Sequence, residues 1–160
     1  MLASLDGRIP LVIDAGATRI GLESTIVATA PDHVRLLRAG PVDAATIAGA
    51  TGLPVRSAEV SGGAVEAPGQ LASHYAPSKP LRLDAIDAEP DEWLIGFAAV
   101  AGHATLSAQG DLVEAAARLF DLLHQADAAP PPRIAVAPVP ATGLGIAIND
   151  RLARAAAPRR

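Results

Sequence analysis

Cysteine is absent from the 160 residues. Disulfides, thiolate nucleophiles and cysteine zinc sites are thereby excluded. Aromatic side chains are scarce, at 2%, so any core has to be assembled from Ala, Val, Leu and Ile. No apolar run is long enough to span a bilayer. The opening MLASLDGRIP has neither the basic start nor the apolar stretch of a signal peptide, so a soluble cytoplasmic protein is the expectation. His33, His74, His103 and His124 show no ligand spacing, and no protein-bound metal site is expected. A G-x-S-x-G elbow and internal repeats are lacking too.

What is present suits a folded chain: 50% hydrophobic and 19% charged residues argue against disorder. The length fits one domain, or part of one joined to a second small domain. A formal charge of −4 gives no general attraction to nucleic acid. Arg151, Arg154, Arg159 and Arg160 nevertheless gather at the C-terminus. There they could touch RNA phosphate or simply complement the end of a helix.

Taken in order, Met1 to Leu5 reads as the tail of a helix, and Leu11, Val12 and Ile13 as a buried strand. Ser24 to Ala30 and His33 to Arg38 read as two strands with a hairpin turn at Pro31-Asp32. Asp43 can cap a short helix that runs through about Ala50 and stops at Gly52. Beyond Pro54 the composition shifts, and Glu59 to Glu66 shows little periodicity. From Leu81 the pattern is regular again. Leu81 to Leu83, Trp93 to Ala98 and Ile134 to Ala137 read as strands. Asp111 caps an amphipathic helix through His124, and Ile146 to Ala156 makes a closing helix. Strands alternating with helices predict a small α/β domain with a largely parallel sheet. Thr142-Gly143-Leu144-Gly145 reads as a tight turn or, less simply, an anion loop; the dinucleotide fingerprint and the GK[ST] of a P-loop are both missing.

Between the two regular regions lies APGQLASHYAP, Ala67 to Pro77, with Pro80 just after it. It holds Tyr75, the single tyrosine of the chain, beside His74. Prolines restrain their own φ and the preceding residue, so the segment should be extended. It is either an ordinary linker with one aromatic anchor or a segment that docks through Tyr75.

The wording PG, a short spacer, then HYAP resembles the linker of two-domain, YrdC-type L-threonylcarbamoyladenylate synthases. GLESTIV followed by LLRAG is similar to the end of their catalytic domain, usually close to ESTVVD and LRPG. TGLG…NDRL…A resembles the end of their C-terminal domain. Ala28 stands where the family often has aspartate, Ala39 where it often has proline, and no glutamate stands around Ala141. The resemblance implies residues 1–57 as the last part of a YrdC-like α/β domain, 58–80 as an extended linker, and 81–160 as the small C-terminal α/β domain. It implies a nucleotidyltransferase that joins L-threonine, bicarbonate and ATP into threonylcarbamoyl-AMP and pyrophosphate, for the threonylcarbamoyladenosine modification of tRNA. Ser24 would hold L-threonine. Arg38, His74 and Tyr75 would meet the nucleotide, with room for Mg2+ beside it, and no catalytic residue is assigned. A serine hydroxyl and an arginine fork suit those ligands chemically.

The family's catalytic domain begins well upstream, so this chain reads as a C-terminal piece, inactive alone and able to associate with a missing N-terminal half. The rival reading is a noncatalytic α/β binding or assembly module that keeps the C-terminal fold. An in-frame YrdC-type sequence upstream of Met1 would separate the two.

Overall fold

The computed structural model describes residues 5, 7–16, 18–57, 66–69 and 76–158. Two sheets organise them. The first has the order β1-β2-β3, built from β1 (Ile26–Thr29), β2 (Val34–Arg38) and β3 (Val55–Ser57). The hairpin turn at Pro31-Asp32 closes with the Ala30 amide donating to the His33 carbonyl at 2.9 Å, and β1 and β2 run antiparallel. Helix α1 (Ala44–Thr51) then crosses over to β3, which pairs parallel with β2. Its ends follow the residues expected of them. The Asp43 carboxylate accepts from the Thr46 amide, and Gly52 adopts φ 68 while its N–H donates to the Ala48 carbonyl.

The second sheet has the order β4-β7-β5-β6, from β4 (Leu81–Arg82), β5 (Glu92–Gly96), β6 (Ala104–Thr105) and β7 (Arg133–Val136). Every pairing in it is parallel. Helices α2 (Leu112–Ala128) and α3 (Leu144–Ala156) supply the apolar faces that cover it. Ile95, Leu106, Leu119, Ile134, Val136 and Ile148 form the centre of one core, which answers the dearth of aromatics with aliphatic packing. The expected α/β architecture with a parallel second sheet is what forms.

One expectation fails. Leu11, Val12 and Ile13 form no strand, and Leu11 and Ile13 are 73% and 86% exposed. An apolar run becomes a strand only where another strand supplies its hydrogen bonds, and no described strand lies beside this one. At Thr142 to Gly145 the chain makes the expected tight turn. The Gly145 amide turns back to the Thr142 carbonyl at 2.9 Å, and a Cβ on Gly145 would lie 1.9 Å from the Pro140 carbonyl oxygen. Two short strands, β3 and β6, carried no clear sequence signal. The expected helix tail before Leu5 lies outside the described residues.

Candidate functional site

The two sheets meet along a seam made by residues 20–25, the end of β2 and the last two helices. Leu22 is buried in the second sheet's core, with Ile20 and Ala39 packed against it. Gly21 lies so close to α2 that a Cβ there would sit 2.6 Å from the Ala116 carbonyl oxygen. Only glycine allows that approach.

Ser24 and Arg38 sit together on this seam. Ser24 is exposed, just ahead of β1, while Arg38 ends β2 with only 9% of its surface accessible. Arg38 donates from Nε (3.1 Å) and Nη2 (3.0 Å) to the Ser24 carbonyl, and its Nη2 lies 3.4 Å from Ser24 Oγ. Its Nη1 donates to the Pro68 carbonyl at 3.2 Å. A guanidinium has donors beyond those used here.

The register of β2 explains why the linker is held. Ile26 faces Arg38 but Val27 faces Leu36, so Leu37 is an extra residue in the ladder. Strict alternation would send Arg35 and Arg38 to opposite faces. The bulge removes one step of that alternation, and both arginines reach the same segment. Arg35 Nη2 pairs with Glu66 Oε1 at 2.5 Å, two residues before the Pro68 carbonyl that Arg38 engages. Ala67 and Gly69 are buried against this clasp. The sequence shows the two arginines but gives no sign of the bulge.

The other end of the same segment is clasped by α2. Asp127 Oδ1 accepts from Ser78 Oγ at 2.7 Å and from the Lys79 amide at 3.1 Å. Burial opposes ionisation of Asp127, yet the hydrogen bonds from Ser78 and Lys79 hold its carboxyl below the ordinary value. Lys79 Nζ donates to the carbonyls of Ala126 and Ala129. A cavity of about 210 Å³ opens beside it, lined by Ala76, Pro77, Phe120, Leu123, His124 and Asp127. His74 and Tyr75, expected to face the nucleotide, lie outside the described residues, as do residues 58–65.

The C-terminal arginines divide differently from expectation. Arg151 is wholly buried, at 0% exposure, and is removed from any RNA phosphate. Arg154 pairs with Asp150 at 3.0 Å, and Arg159 and Arg160 lie outside the described residues. Among the described residues no group of three or more His, Asp or Glu could hold a metal ion. No helix there is long and apolar enough to cross a membrane.

A parallel four-stranded sheet covered by two helices and joined to a smaller sheet along a seam defines an α/β protein. Residues 36–157 match the family described as "Threonylcarbamoyl-AMP synthase, C-terminal domain", and the chain belongs to that family. It is similar to the threonylcarbamoyl-AMP synthase of Bacillus subtilis (strain 168), 30% identical over 177 aligned residues that cover 97% of this chain and 51% of the relative. It is 32% identical to that of Pyrococcus abyssi (strain GE5 / Orsay) over 169 residues, 93% of this chain and 50% of the relative. Among solved structures, P. abyssi Sua5 complexed with L-threonine matches at a TM-score of 0.77 and 26% identity, over 97% of this chain and 52% of that one. A P. abyssi Sua5 variant in which an adjacent histidine and tyrosine are both replaced by alanine matches at 0.70 and 25% identity, over 89% and 47%. The chain thus spans about half the length of the relatives it matches.

Proposed function

We propose that this chain is the C-terminal half of a threonylcarbamoyl-AMP synthase, serving tRNA threonylcarbamoyladenosine formation in the cytoplasm. The reaction joins L-threonine, bicarbonate and ATP: a carbamate on the threonine amine attacks the α-phosphate, and pyrophosphate leaves. Residues 1–57 close the catalytic domain, 58–80 link it, and 81–160 form the second domain.

Ser24 holds the amino acid through its hydroxyl, and Arg38 offers its remaining Nη1 N–H and its positive charge to the nucleotide. Mg2+ would accompany the triphosphate as its counter-ion, held by the nucleotide rather than by this chain. His74 and Tyr75 line the nucleotide side, and the alanine variant of a His–Tyr pair in the P. abyssi relative supports attention to the one such pair in this chain. A missing N-terminal half covers the open face of the first sheet, and an RNA contact falls to Arg159 and Arg160. The observation that carries the reading is the meeting of Ser24, Arg38 and Pro68 on one seam, in a chain that belongs to the synthase family.

The chain alone should not turn over. Stabilising a triphosphate in transfer takes several converging cations. Arg35 is paired with Glu66 and Arg56 lies 3.7 Å from Asp32, so few cations are left to converge. The test follows adenylate formation from L-threonine, bicarbonate and labelled ATP. No product is expected from the 160 residues. Product is expected when they are expressed in frame behind a YrdC-type amino-terminal half, with loss on Ser24→Ala and Arg38→Met. Robust turnover by the isolated chain would overturn the reading.

A further inference from the structure

Arg151 is a charged side chain with no access to solvent, and stability alone does not account for it. Replacing a buried ion pair by packed apolar groups is often neutral or stabilising, because desolvating the charges costs so much. What distinguishes Arg151 is where its fork ends. Nε donates to Glu23 Oε2 at 2.9 Å, and Nη2 donates to the Ala39 carbonyl at 3.0 Å. Nη1 donates to Asp150 Oδ2 at 2.5 Å, and Asp150 is held in turn by Arg154. Glu23 and Ala39 are the immediate neighbours of Ser24 and Arg38. One side chain on α3 therefore holds the side chain of Ser24's neighbour and the backbone of Arg38's neighbour.

The rest of the seam transmits that hold. A Cβ on Gly40 would lie 2.4 Å from the Thr25 amide nitrogen, so the ends of β2 and of the 20–25 segment touch backbone to backbone. Thr25 Oγ1 exchanges hydrogen bonds with Val42, donating to its carbonyl at 2.8 Å and accepting from its amide at 3.0 Å. Arg38 then joins Ser24 to Pro68. A displacement at Arg151 has a continuous path of hydrogen bonds and contacts to Ser24, to Arg38 and to the start of the linker.

We propose that Arg151 is a positioning residue: from the second sheet's closing helix it sets the Ser24–Arg38 pair in the geometry that receives substrate. The inference rests on the proposed function for its meaning in catalysis, but its physical content needs no ligand. Removing the guanidinium leaves Asp150 with Arg154 and Glu23 with partial access to water, so global stability should fall little. The local effect should be large.

The test compares Arg151→Met, Arg151→Lys and a control, Arg154→Met, by NMR and amide hydrogen exchange on the 160-residue chain. In Arg151→Met the Arg38 Nε–H resonance should move toward that of a solvated arginine, and β1–β2 amides should exchange about tenfold faster. Leu119, Leu122 and Leu123 in α2 should keep their protection. Arg151→Lys, which keeps the charge but not the fork, should show the same change more weakly and decides the matter if the methionine variant does not fold. Arg154→Met should leave the Arg38 signal in place. An unmoved Arg38 resonance, or exchange that accelerates equally in β1–β2 and α2, overturns the proposal. Failure of the functional reading would show separately, as adenylate formation that survives Ser24→Ala and Arg38→Met in the fused protein.

Discussion

The two sheets differ by one strand, three against four, yet they bury very different amounts of themselves. The second is covered by α2 and α3, which together contribute Ala115, Leu119, Leu122, Ala147, Ile148 and Leu152 to its core. The first has a helix, α1, in which no residue is buried. Val34 is the one buried apolar side chain on its strands, and Val27, Val42, Leu11 and Ile13 are exposed. Burial of apolar area is the main favourable contribution to folding. The second sheet therefore carries most of the core, and the first is held by its seam with that core.

The contrast can be broken at its strong side first. Leu119→Ala should cost about 2–5 kcal/mol, since it opens a cavity under both the sheet and α3, as measured by urea unfolding. Should the loss come out below about 0.5 kcal/mol, the within-ordinary range of surface changes, the second core is not the source of stability.

Glu92 gives the next largest effect. It is 2% exposed and receives Arg82 Nε at 2.9 Å and Nη2 at 2.6 Å, and the Glu89 amide at 3.0 Å. The Arg82 hydrogen bonds outweigh burial and hold its carboxyl at about 2. A carboxyl whose folded value lies below its unfolded one stabilises the fold fully above the ordinary value of 4.5. That contribution is lost as the pH falls from there toward 2. Glu92→Gln should therefore lower stability at neutral pH by about 2–4 kcal/mol and flatten the acid limb of a midpoint-versus-pH curve. A variant that keeps the wild-type acid slope would assign that slope to other carboxyls.

Matched caps sharpen the comparison further. Asp111 accepts from the Val113 and Glu114 amides, and Asp43 from the Thr46 amide. Asp111→Ala should remove about 1 kcal/mol from global unfolding. Asp43→Ala loses the same kind of hydrogen bond, but α1 buries nothing. Its cost should show as faster amide exchange within α1, with the global midpoint unmoved. The smallest effect belongs to Leu11→Ser and Ile13→Ser, expected within about 0.5 kcal/mol of wild type because both side chains are already in water. A larger loss in either would mean that the run is covered in solution.

Local signals were the legible part of the sequence. Capping residues, the helical period of Leu112 to Leu123 and the Pro31-Asp32 turn act over a few positions, and each formed where its chemistry implied. What the sequence concealed depends on distant partners. Leu11 to Ile13 had the apolarity of a strand without the neighbour that makes one. Ala104–Thr105 forms β6 because Gly96 and Gly102 let two backbones meet at about the limit of contact, which no β-propensity announces. Arg151 looked like a basic residue on a helix end, and its partner Glu23 is 128 positions away. The family wording singled out Ser24 and Arg38, which do lie together, whereas the bulge that turns Arg35 and Arg38 toward one segment left no trace in the sequence.

Lys79 closes the far end of the linker on the terminal carbonyls of α2, and it is the only lysine in the chain. An amine-directed reagent thus has a single side-chain target, placed where the linker joins the second sheet. Acylation removes the ammonium that those carbonyls hold. The rate of labelling at Lys79 becomes a clock for how often that end of the linker lets go, readable by mass spectrometry without introducing any probe.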